Sequence, residues 1–169
     1  MHVTDVDFAR LCYTPLGDLL GEIGVYVLWD SQARARPSYN GEGNILKRLV
    51  VEHINRFAWP IDGYAAIVHQ SSWQRAKADA EIVEALLLEV AKLTDRAPST
   101  NLAPGKLRAL DAIFRTHGSL RANVRGFDPL MPPETAPSLS TTKQIVLYDT
   151  SDDSVTIEHD WRLRRRQQA

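Results

Sequence analysis

Apolar and polar positions change period several times along the chain, and each change marks an element. Ile23-Gly24-Val25-Tyr26-Val27-Leu28-Trp29 is a β-branched and aromatic run that stops at Asp30-Ser31, which predicts a strand and then a turn. A second strand is predicted through Tyr39, after a polar, basic segment from Ser31 to Pro37 whose proline fixes the chain, so the two strands form a hairpin with a long loop. Gly41-Glu42-Gly43-Asn44 then reads as a tight turn, with Asn44 placed to cap a helix that starts at Ile45. That helix, to about Arg56, sets Leu46, Leu49, Val50 and Phe57 on one stripe, with His53 among them.

Gly63 to His69 reads as the central strand of a small mixed sheet, and a long helix follows from about Ser72 to Thr94, ended by Arg96-Ala97-Pro98. At 100° per residue, Ala85, Leu86 and Leu93 lie within about 60° of Ile82 and define a stripe that should face the sheet. Glu89 lies about 20° from Ile82, inside that stripe, and Glu84 points roughly the opposite way. A carboxylate on a buried stripe needs an ion-pair partner, a proton or a cation. A further helix is expected from Pro104 to His117, ending at Gly118. Asp128 to Thr142 is crowded with Pro, Ser and Thr, as in a linker or an ordered surface wrap, and Gln144–Tyr148 with Ser154–Glu158 predicts a terminal β-hairpin.

Composition adds exclusions. The 169 residues suit one domain, or a compact domain with an extension. No apolar run is long enough to span a bilayer and no signal core opens the chain, so a soluble, cytoplasmic protein with no membrane partner is expected. The single Cys12 excludes an internal disulfide and a zinc finger, and it reads as a small buried hydrophobe. The net charge of −1 is not the basic excess common in nucleic-acid binders. Basic residues are nevertheless clustered: Arg34 and Arg36 in the hairpin loop, Lys47 and Arg48 after the second strand, and Arg162, Arg164, Arg165 and Arg166 at the C-terminus.

Gly24-Val25-Tyr26 and Tyr39-Asn40-Gly41, followed by Arg48, by the run Glu84-Ala85-Leu86-Leu87-Leu88-Glu89 and by Asn101 after Pro98, resemble the GIY-YIG nuclease family, most closely the nuclease domain of the nucleotide-excision repair incision subunit. The resemblance spans Gly21 to Asn101. It implies an α+β fold with a small three-stranded mixed or antiparallel sheet flanked by helices. The nuclease-like domain, with an N-terminal helix, would cover 1–118, and an extension holding the β-hairpin and basic tail would cover 119–169.

The resemblance also implies a divalent-metal-dependent endonuclease using Mg²⁺ or Mn²⁺, with nucleic acid, DNA foremost, as substrate. Glu89 would hold the metal, Tyr39 would be the general base helped by Tyr26, Arg48 would clamp the phosphate, and His53 and Asn101 would complete the site. Gly41, Lys47, Arg34 and Arg36 are the candidate substrate contacts. Three positions depart from the pattern: Asn40 stands where a β-branched residue is usual, Glu42 where a lysine is common, and Arg48 follows Tyr39 by one residue fewer than the family spacing, which leaves Lys47 as the alternative cation. The alternative is a GIY-YIG-like module with weak or no chemistry that binds nucleic acid or protein. The extension is a candidate surface for a homodimer or a partner protein.

Overall fold

The fold is given by a computed structural model that describes residues 1–30, 36–53, 62–99, 114–135, 138–150 and 155–161. Seven strands form one mixed sheet: β1 (His2–Arg10), β2 (Ile23–Trp29), β3 (Tyr39–Asn44), β4 (Asp62–Ile67), β5 (Leu120–Gly126), β6 (Lys143–Asp149) and β7 (Val155–His159). Their order is β3-β2-β4-β1-β5-β6-β7. Only β1 and β5 pair in parallel, and the other neighbours are antiparallel. The α+β class and the mixed sheet are as expected, but the sheet has seven strands where three were expected. The expected boundary at residue 118 falls inside this sheet, because β5 pairs directly with β1.

The N-terminus is a strand where a helix was expected. Thr4, Val6 and Phe8 are buried while Val3, Asp5, Asp7 and Ala9 are exposed, a period of two that only a strand satisfies. β1 is therefore the middle strand of the seven, and β2 sits between β3 and β4, so Gly63–Ile67 does not occupy the central place predicted for it. Cys12, expected inside, is exposed on the 3₁₀ turn that follows β1. The terminal hairpin forms as predicted, with Leu147 opposite Ile157.

α2 (Trp73–Leu93) starts where Ser72 accepts a hydrogen bond from the Arg75 N–H at 3.3 Å and ends where the Thr94 hydroxyl donates to the Val90 carbonyl at 2.7 Å. It packs against β2 and β3 on one side and β5 and β6 on the other. A helix so enclosed is buried all round, and every residue from Ile82 to Leu88 is. The single-stripe reading fails here for that reason: Glu84 is 1% exposed, whereas Leu93, assigned to the stripe, is 49% exposed. No helix among the described residues is long and apolar enough to cross a membrane.

The sheet has two unlike faces. Val25, Val27, Trp29, Tyr64 and Ala66 meet α2 in the main core, and Val6, Phe8, Val124 and Ile145 extend it. On the opposite face Tyr26, Leu28 and Ala65 form a second cluster with Leu19 and Ile45. The Pro-rich stretch is an ordered wrap: the Trp29 indole donates to the Pro129 carbonyl at 3.0 Å, the Tyr64 hydroxyl to the Met131 carbonyl at 2.7 Å and the Trp161 indole to Asp128 at 3.0 Å. Phe114–His117 is helical and stops at Gly118, whose φ of +77° suits a helix-ending glycine, while the start of that predicted helix lies outside the described residues.

Leu86→Ala should lower the unfolding free energy by about 2–5 kcal/mol, through lost transfer energy and a cavity on the enclosed side of α2. Leu93→Ala, on the exposed end, should cost less than about 1 kcal/mol. Urea titration of both variants reads the difference.

Candidate functional site

β3 continues through Gly41-Glu42-Gly43-Asn44, where a tight turn was expected. Its glycines are bare on the face opposite α2, and neighbouring side chains fill that space. Gly41 lies opposite Tyr26 in the β2–β3 register, and a methyl group at Gly41 would collide with the Tyr26 phenol. At Gly43 a methyl would come within 3.3 Å of the Arg48 Nε. The φ of +118° at Gly43 also favours glycine. Tyr39, half-buried at the start of β3, stacks on Tyr26 with ring centroids 6.0 Å apart and planes 19° from parallel.

The chain leaves β3 through Asn44, whose side chain accepts from the Lys47 N–H at 3.1 Å and caps α1 (Ile45–Lys47) as predicted. After this single turn the helix widens to π-helical spacing over Arg48–His53, and the end of the helix expected to Arg56 lies outside the described residues. Leu46 and Leu49 pack toward the second cluster, but Val50, predicted on the same stripe, is 48% exposed. Arg48 returns across Gly43 while Lys47 stays exposed, so Arg48 joins the tyrosines and Lys47 does not. Arg36 is exposed just before β3. Arg34, Asn101 and the arginines from 162 onward lie outside the described residues, as does the side chain of His53.

Glu42 and Asn40 point the other way, toward α2. The Lys77 ammonium donates to both Glu42 oxygens at 3.0 Å and stands 3.5 Å from Glu81. Glu42 therefore adds no negative charge beside the tyrosines; its charge is met on the far side of the sheet. Asn40 is fully buried on that side, in register with Val27. Burial disfavours the Lys77 ammonium, but the hydrogen bond and charge of Glu42, with Glu81, outweigh it and raise the lysine above its ordinary value.

The two acidic residues of the Glu-Ala-Leu-Leu-Leu-Glu run exchange the places predicted for them. Lys77 marks the flank of α2 that faces β3. Glu84 lies within about 20° of that flank and Glu89 about 120° away from it. Glu84 is buried on the β3 side, whereas Glu89 is partly exposed, with Lys92 at 4.0 Å. Both sit on the helix that covers the α2 face of the sheet, so the sheet stands between either carboxylate and Tyr26. Apolar spacing could not reveal Glu84, because choosing between two acids on one helix requires knowing which flank meets β3.

The structure thus brings Tyr26, Tyr39, Gly41 and Arg48 together and leaves Glu89 apart from them. Among the described residues no three His, Cys, Asp or Glu side chains come close enough to hold a metal ion. The assembled groups can grip a phosphate with the Arg48 guanidinium and present the Tyr39 hydroxyl to its oxygens. No protein family, curated protein or solved structure matches the chain.

Gly41→Ala should destabilise the fold by about 1–3 kcal/mol through overpacking against Tyr26. In a Tyr26→Ala background the same substitution should cost less than about 1 kcal/mol, since the colliding ring is gone, and a double-mutant cycle by chemical denaturation measures the coupling. Lys77 stabilises the fold in its charged form, so its contribution is complete below the ordinary lysine value of 10.5 and is lost as pH rises through the raised value. The stability gap between wild type and Lys77→Met should therefore be constant from neutral pH to about 10 and shrink above it.

Proposed function

We propose that this protein is a nuclease of the GIY-YIG type that acts on the phosphodiester backbone of nucleic acid, with DNA as the first substrate to test. The observation that supports this reading is the stacking of Tyr26 on Tyr39 over a strand stripped to glycine, with Arg48 laid across the same strand. In this reading Arg48 binds two non-bridging oxygens at once and stabilises the charge that builds on them during attack at phosphorus. Tyr39, half exposed, meets the substrate and polarises the attacking water through its hydroxyl. Tyr26, 1% exposed, orients Tyr39 by stacking and does not itself reach the substrate.

A second reading, binding without turnover, is favoured by the place of Glu89 on the outer flank of α2. Both readings put phosphate at Arg48, and they part at chemistry. Supercoiled plasmid incubated with Mg²⁺ or Mn²⁺, with and without EDTA, should be nicked only when metal is present. Tyr39→Phe and Arg48→Ala should each lower the nicking rate by about 10²-fold or more. Glu89→Gln tests the metal ligand that the resemblance implies: a loss of nicking comparable to that of Tyr39→Phe supports it, and a rate within about twofold of wild type places the metal elsewhere. Salt-sensitive DNA binding lost in Arg48→Ala, with no nicking under any condition, would establish the binding module. Neither binding nor nicking would remove the site.

A further inference from the structure

β1 and β4 pair only at Ala9 with Ala65 and Arg10 with Tyr64. Toward the start of β1 and the end of β4 the strands diverge, and a groove of about 310 Å³ opens on the face that carries Tyr26. That volume is at the lower bound of small-ligand sites. Leu19, Ala65 and Ile67 give it an apolar floor, and Asp5, Asp7 and Arg125 stand at its rim. The groove lies on the same face as the tyrosine site: Gly41, Tyr26, Ala65 and Ala9 form one row across four strands, each opposite the next, and Ala65 and Ala9 line the groove. At about 4.8 Å per strand, its floor begins roughly 5–10 Å from Tyr26.

The rim is chemically specific. Asp7 and Arg125 are register partners on neighbouring strands, so a carboxylate and a guanidinium stand side by side. Asp5 accepts from the Asn123 amide at 2.7 Å and is committed within the sheet. Asp7 has no hydrogen-bond or ion-pair partner among the described residues. Arg125 donates through Nε to the Thr142 hydroxyl at 3.2 Å, which leaves both terminal amino groups for a ligand.

We propose that this groove reads a guanine base in a single-stranded segment whose phosphate lies at Tyr39 and Arg48. Guanine presents two adjacent donors, N1–H and the 2-amino group, to the two Asp7 oxygens, and two adjacent acceptors, O6 and N7, to the Arg125 amino groups. Adenine offers this pair of groups one hydrogen bond each, and thymine offers no second donor to the carboxylate. The apolar floor takes the ring, and a paired base is excluded because its N1 edge is covered. The assignment rests on the phosphodiester reading above and names the base preference of that same substrate.

The test is fluorescence anisotropy of labelled five-nucleotide single strands, thymidine throughout or with one central guanine, hypoxanthine, 7-deazaguanine or adenine. Wild type should bind the guanine strand roughly five- to a hundredfold more tightly than the all-thymidine strand, the range expected for a bidentate base contact. Hypoxanthine, which lacks the 2-amino group, and 7-deazaguanine, which lacks N7, should each lose most of that preference. Asp7→Asn and Arg125→Gln should abolish it while binding the all-thymidine strand as wild type does. Equal affinity for all strands, with all-thymidine binding still lost in Arg48→Ala, overturns the guanine groove and keeps the phosphodiester reading. No binding of any strand overturns both. A free guanosine monophosphate that binds as tightly as the guanine strand makes the groove a mononucleotide pocket and overturns its strand-reading role.

Discussion

A strand without side chains on one face cannot stay empty, because a void beside a packed sheet forfeits the contacts that hold the sheet together. β3 is such a strand at Gly41 and Gly43, and the space is filled from two directions, by the Tyr26 ring from β2 and by Arg48 from the turn after β3. Both polar side chains are drawn inward by the same vacancy. Their position is therefore a packing necessity before it is a chemical one, and the stacked Tyr39 extends the arrangement to the surface.

The opposite face of the same strand obeys a different constraint. There α2 presses on the sheet, and the polar residues Asn40 and Glu42 meet the flank that carries Lys77 and Glu84. Alternation along β3 thus sorts aromatic and cationic groups to one side and carboxylate and amide groups to the other. The face of the tyrosines thus holds Arg48 and not Glu42, although the two residues are only six positions apart in the chain.

Local pattern carried the strands at 23–29 and through Tyr39, the cap at Asn44, the ends of α2 and the terminal hairpin, because each depends on residues close in sequence. It missed what depends on distant partners. β1 alternates cleanly yet has no value as a lone strand until β5 lies beside it. α2 looked one-sided from its apolar spacing because nothing local shows that β5 and β6 close its second side. For the site, motif order picked out the tyrosines, Gly41 and Arg48 that the fold brings together, whereas the burial of Glu84 and the partial exposure of Glu89 were the reverse of what the apolar spacing implied. The widening of the helix at Arg48, which decided between Lys47 and Arg48, had no local signature.

The parallel pairing of β1 with β5 also orders events in time. Residues 2–8 leave the ribosome more than a hundred residues ahead of their partners, residues 120–126. Until then β1 is held by two pairs with β4, and its other edge is open to any strand that comes near. Such non-local closure is slow compared with forming the β2–β3 hairpin, so the hairpin that carries both tyrosines can form early while the middle of the sheet waits for its last third. Folding yield, more than final stability, is thus where this topology leaves the protein exposed to aggregation.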